Sequence, residues 1–115
     1  MLQTAAILLV ITALGGLVMA GIRFVSKHNP PAWLAMVHGL FAASGVTLLA
    51  YAVFTGAAPA MASLGLLLLL LAAAGGAVMS LVYKWHDRLL PGWLVAAHAT
   101  LAVCGFLCVL AAAYG

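Results

Sequence analysis

Hydrophobic positions fill four long stretches of the chain, about 4–25, 31–54, 60–83 and 91–114, and polar positions collect between them. Each stretch has the ~20 apolar residues that a helix needs to cross a ~30 Å hydrocarbon layer. A backbone in lipid must satisfy its own hydrogen bonds, so these stretches are predicted as helices rather than strands. The first, apolar from Thr4 to about Gly21 and without a basic leader, reads as a span rather than a signal peptide. The pattern predicts an all-α integral membrane protein with a single transmembrane domain over 1–115, in contact with the lipid bilayer on all sides.

The second pair of spans rewrites the first. Pro31, Trp33, Leu34, His38, Ala42 and Gly45 recur 60 residues later as Pro91, Trp93, Leu94, His98, Ala102 and Gly105. Gly15-Gly16 and Met19 recur at the same offset as Gly75-Gly76 and Met79. This predicts two tandem parallel hairpin repeats, about 1–55 and 60–115, forming an up-down four-helix transmembrane bundle. Steps of four, four, three and seven place Leu34, His38, Ala42, Gly45 and Ala52, with their counterparts, on one helical face. Lipid tolerates any apolar residue, so the face held in common is expected to point inward. Both histidines then lie inside the bundle at one depth.

Composition agrees and adds an orientation. Hydrophobic residues make up 69% of the chain and charged ones 4%, against about 25% charged in soluble domains. The charged side chains Arg23, Lys27, Lys84, Asp87 and Arg88 all lie in the loops joining spans 1 to 2 and 3 to 4. The remaining connection, 55–59, and both ends carry no Lys or Arg. This bias predicts cytoplasmic basic loops and periplasmic termini, as in a bacterial inner membrane, and a charge of +3 so placed is no nucleic-acid footprint.

An ionisable residue inside a span is expensive and points to function. The only carboxylate, Asp87, is in a loop, so no acid inside the spans can pair with His38 or His98. Two matched neutral imidazoles can instead share a metal. Diagonal helices of such a bundle stand roughly 12–14 Å apart, which suits an imidazole–iron–imidazole stack. The expected cofactor is therefore one haem b, with His38 and His98 as axial ligands near the cytoplasmic face. Gly45 and Gly105, two turns beyond the histidines, and Gly16 and Gly76 on the other helices are expected to form a slot for the macrocycle. Arg23, Lys27, Lys84 and Arg88, with His28 and His86, are candidates to meet its propionates.

On these histidines and glycines the chain resembles the four-helix cores of membrane b-type cytochromes, the cytochrome b and cytochrome b561 class. The resemblance covers the four spans and implies an electron-transfer subunit of a larger redox or respiratory complex, with quinone as a possible partner. It departs in one respect, because those families usually hold two haems and this chain has one intramembrane histidine pair.

Other readings remain open. Met19 and Met79, at about the depth of the histidines, allow copper or a mixed His/Met haem. Cys104 and Cys108, one turn apart in span 4, read as small apolar side chains. Nothing marks a catalytic base, so an electron carrier is expected rather than an enzyme. The alternative is a cofactor-free accessory subunit whose histidines bond backbone carbonyls or lipid headgroups.

Overall fold

The computed structural model describes residues 1–56 and 58–115; Ala57, in the expected turn 55–59, lies outside the described residues. Helix α1 covers Leu2–Gly21 and continues as a π-helical turn, Ile22–Ser26. Helix α2 covers Ala32–Phe54. Helix α3 covers Ala60–Val78 and runs on through a π-helical turn, Met79–Tyr83, and a 3₁₀ turn, Lys84–His86. Helix α4 covers Gly92–Tyr114. With their extensions the four are 25, 23, 27 and 23 residues long, each long and apolar enough to cross a membrane.

Local chemistry explains where the helices start and stop. Pro31, Pro59 and Pro91 hold the N-cap positions with extended ψ of 148°, 160° and 134°. Proline has no N–H to lose there, and its ring fixes φ for entry into the helix. Pro31 thus stands one residue before the helix begins at Ala32. Its carbonyl accepts from the Leu34 and Ala35 amides, as that of Pro91 does from Leu94 and Val95. Beyond α1 and α3 the chain turns at Lys27 and Asp87, 60 residues apart, each in the left-handed conformation with φ of 58° and 55°.

Each helix packs against two others. α1 lies on α2 and α3 on α4, and the α1–α4 and α2–α3 contacts close the ring, so α2 and α4 face each other across the bundle. The molecule measures 42 × 22 × 21 Å, which aligns the helices with the long axis.

Most of the core occupies the half that carries the chain ends, while Ala72, Leu90, Leu94 and Val95 are buried at the histidine level and toward the loops. Ala5, Ala6, Leu9, Leu49, Ala62, Leu66, Leu69 and Val109 form one buried cluster at the chain ends. Two close approaches build it. A methyl group on Gly45 would lie 3.0 Å from the Leu9 side chain, and one on Gly105 would lie 2.8 Å from Leu69 Cγ and 3.1 Å from the Gly65 carbonyl oxygen. Toward the other end, inward positions such as Gly16, Met19, Ala35, Gly76 and Met79 are only half-buried.

The outer face is apolar. Leu14, Leu17, Leu40 and Leu67 are more than half exposed. The hydroxyls of Ser44, Thr47 and Thr100 donate to carbonyls four residues back on their own helices. That leaves little on this surface for water to hydrogen-bond, and such a surface is compatible with lipid contact.

Candidate functional site

His38 on α2 and His98 on α4 meet inside the bundle. Their ring centroids are 6.3 Å apart with an interplanar angle of 65°. Both side chains are half-buried.

Each imidazole is held by the other helix of its own hairpin. Nδ1 of His38 is 2.9 Å from the Thr12 carbonyl oxygen on α1, and Nδ1 of His98 is 2.7 Å from the Ala72 carbonyl oxygen on α3. Both bonds span 26 residues, at positions 60 apart in the chain. A carbonyl can only accept, so Nδ1 must carry the proton in each ring. In the neutral tautomer this leaves Nε2 with a free lone pair on the far edge of the ring. A hydrogen bond from one ring nitrogen to a carbonyl is the arrangement that orients histidines for metal ligation through the other nitrogen.

Gly16 and Gly76 leave close-fitting room for the two rings. A methyl group on Gly16 would stand 3.1 Å from Cε1 of His38, and one on Gly76 would stand 3.3 Å from Cε1 of His98. Gly15 and Gly75 lie slightly farther from the same rings, at 3.8 Å to Nδ1. These glycines seat the imidazoles rather than line a slot of their own. Gly45 and Gly105 differ from expectation more clearly. The space over them is filled by Leu9 and Leu69, so both serve the close approach of helices within a hairpin. A glycine on an inward face is equally suited to a neighbouring leucine or a flat ligand.

The four basic residues divide into two pairs. Arg23 turns inward, and its Nε donates to the Leu90 carbonyl at 2.7 Å. Nζ of Lys84 is also buried but has no hydrogen-bond partner among the described residues. Lys27 and Arg88 are exposed, and Arg88 lies over the Tyr83 ring, 4.9 Å from its centroid. His28 and His86 are exposed as well, with Nδ1 of His28 near the Asn29 carbonyl at 2.9 Å. Met19 and Met79 are half-buried on α1 and in the turn that extends α3, and Cys104 and Cys108 are free.

Compared with known proteins, the chain matches no family model, and no curated protein or solved structure is detectably similar to it. What the site can do therefore rests on its own geometry.

One functional feature is not visible in the sequence. The Asn29 side chain bridges the two basic loops, donating from Nδ2 to the Arg88 carbonyl at 2.8 Å and accepting the Leu90 amide at 3.0 Å. With the Arg23 bond it ties the hairpins together at the loop end, opposite the leucine and alanine core. The histidine layer lies between these two clamps. Asn29 breaks the 60-residue pattern, since its counterpart is Leu89, so internal similarity could not flag it.

Donor count bears on which metal the pair could hold. No group of three or more His, Cys, Asp or Glu side chains is gathered among the described residues. A bare Zn²⁺ or copper ion normally takes three or four protein donors. Iron in a porphyrin brings four nitrogens with it and asks the protein for two axial ligands. His38 and His98, with ring centroids 6.3 Å apart, would be the two residues to hold such a group.

Proposed function

We propose that the chain is an integral membrane protein, built from two tandem helical hairpins, that holds one haem b between His38 and His98. It serves as an electron-transfer subunit of a larger membrane redox complex. The observation that carries this reading is the histidine pair: two inward imidazoles 6.3 Å apart, each with Nδ1 bound to a backbone carbonyl. The small residues Gly16 and Gly76 beside those rings support it further.

The chain's own residues do the positioning. The Thr12 and Ala72 carbonyls orient the rings, and Gly16 and Gly76 give them room. The apolar spans keep bulk water from the ligating nitrogens. A bound haem b supplies a one-electron couple between ferric and ferrous iron. The basic loops favour a cytoplasmic position for the histidine end, with termini in the periplasm of a bacterial inner membrane. A donor or acceptor, a protein subunit or a quinone, would then exchange electrons on that side.

A second reading has its own support. A cofactor-free accessory subunit also needs its buried histidines satisfied, and the two carbonyl bonds satisfy one nitrogen of each. Copper is a third, with Met19 and Met79 as thioether donors. Purification from haem-replete cells, with haem and metal content measured per chain, separates the three. The proposal expects close to one haem and no copper; a colourless, metal-free protein would favour the accessory subunit.

A further inference from the structure

The four basic side chains are not equivalent, and Lys84 stands apart. The exposed Lys27 and Arg88 can be solvated, and Arg23 has the Leu90 carbonyl. Nζ of Lys84 is buried and makes no hydrogen bond among the described residues. The chain's single acidic side chain, Asp87, is exposed and does not partner it. An ammonium taken out of water without a counter-charge costs several kcal/mol, so this position calls for an anion.

Placement agrees. Lys84 follows the π-helical turn Met79–Tyr83, a widened turn of a kind often found at functional sites. It lies at the loop end of α3, whose inward positions Gly76, Met79 and Tyr83 are half-buried like Lys84 itself. Its counterpart 60 residues earlier is Phe24, which is 49% exposed. The second hairpin thus buries a cation where the first presents an apolar ring.

We infer that the Lys84 ammonium is the receptor for one oxyanion at the loop end of the bundle, a carboxylate or a phosphate. The carboxylate source is a propionate of the tetrapyrrole and rests on the haem proposal. The phosphate source is an anionic phospholipid headgroup and does not. An ammonium gives either one charge-assisted hydrogen bonds without fixing a fork geometry. Such bonds contribute about 1.5–3 kcal/mol, or roughly ten- to hundredfold in affinity.

The test uses the full chain in nanodiscs of phosphatidylcholine with phosphatidylglycerol, as wild type, Lys84→Met and Lys84→Arg. Methionine keeps the apolar stem and removes the charge, and circular dichroism verifies that the variant folds. In the first arm, apoprotein is titrated with haem and with haem dimethyl ester, which has no free carboxylate. If a carboxylate is bound, wild type prefers haem over the ester by roughly tenfold or more. Lys84→Met then loses that preference, and Lys84→Arg retains most of it. In the second arm, retention of phosphatidylglycerol over phosphatidylcholine is measured by native mass spectrometry after washing in about 1 M salt, which screens surface attraction beyond ~3 Å. A bound phosphate gives roughly tenfold retention in wild type that Lys84→Met abolishes. Either loss supports the receptor and names its source. Equal behaviour of wild type and Lys84→Met in both arms overturns it. Should wild type bind neither haem nor the ester, the haem proposal fails while the lipid arm still judges Lys84.

Discussion

Gly16 and His38 fit each other closely: a methyl group on the glycine would stand 3.1 Å from Cε1 of the imidazole. That ring is bonded through Nδ1 to the carbonyl of Thr12, one turn back on the same helix as the glycine. The glycine is therefore part of the mechanism that fixes the ring. A single methyl asks the imidazole to shift by a few tenths of an ångström, whereas a larger side chain cannot share the space. Gly16→Ala is expected to be tolerated with a small change in ligand orientation, and Gly16→Leu to displace His38 and lose most bound haem. Gly76 and His98 should behave alike, their corresponding distance being 3.3 Å. Electron paramagnetic resonance of the oxidised variants follows ring orientation; unchanged spectra and haem content in Gly16→Leu would rule out this role.

The core end makes a separate prediction. At Gly105 an added Cβ would meet Leu69 Cγ at 2.8 Å and the Gly65 carbonyl oxygen at 3.1 Å; the carbonyl cannot move without shifting its helix, and Leu69 only by changing rotamer in the packed core. Overpacking of this kind costs roughly 1–3 kcal/mol. Gly105→Ala should lower the thermal midpoint in detergent, while Gly39→Ala, with nothing within 4 Å among the described residues, should leave it unchanged or raise it slightly. Equal midpoints for the two variants would contradict the packing described.

Asn29 joins its loop to residues 59 and 61 positions away through two hydrogen bonds. Each is worth about 1 kcal/mol net. Asn29→Ala should lose both, and Asn29→Asp should keep the acceptor for the Leu90 amide while setting a carboxylate against the Arg88 carbonyl. Hydrogen exchange at the Leu90 amide is the direct readout. It should accelerate in Asn29→Ala and remain slower in Asn29→Asp; protection unaltered in Asn29→Ala would show that the clamp does not hold the loops.

Much of this arrangement was legible in the sequence, for a physical reason. Long apolar runs leave a backbone only one way to satisfy itself, so four helices were readable to within a few residues. The recurrence of His38 as His98 on a common face placed both histidines inward, and they do face each other. The glycines were harder. A small inward residue signals close approach but not what approaches, and Gly45 and Gly105 proved to receive Leu9 and Leu69. Loop cations were harder still. Lys84 and Lys27 look alike in sequence, but Lys84 lies in the 3₁₀ turn before the left-handed Asp87, whereas Lys27 is itself the left-handed turn residue. Asn29 could not be found at all, because its partners lie in the other hairpin and break the internal pattern.

The central claim is that His38 and His98 together ligate one iron. Near-infrared magnetic circular dichroism of the oxidised, purified protein tests it most directly, because the charge-transfer band identifies the two axial ligands of a low-spin haem. Bis-histidine ligation is expected in wild type, lost in both His38→Ala and His98→Ala, and kept in Met19→Leu. A histidine–methionine signature, or bis-histidine ligation that survives in either alanine variant, would contradict it.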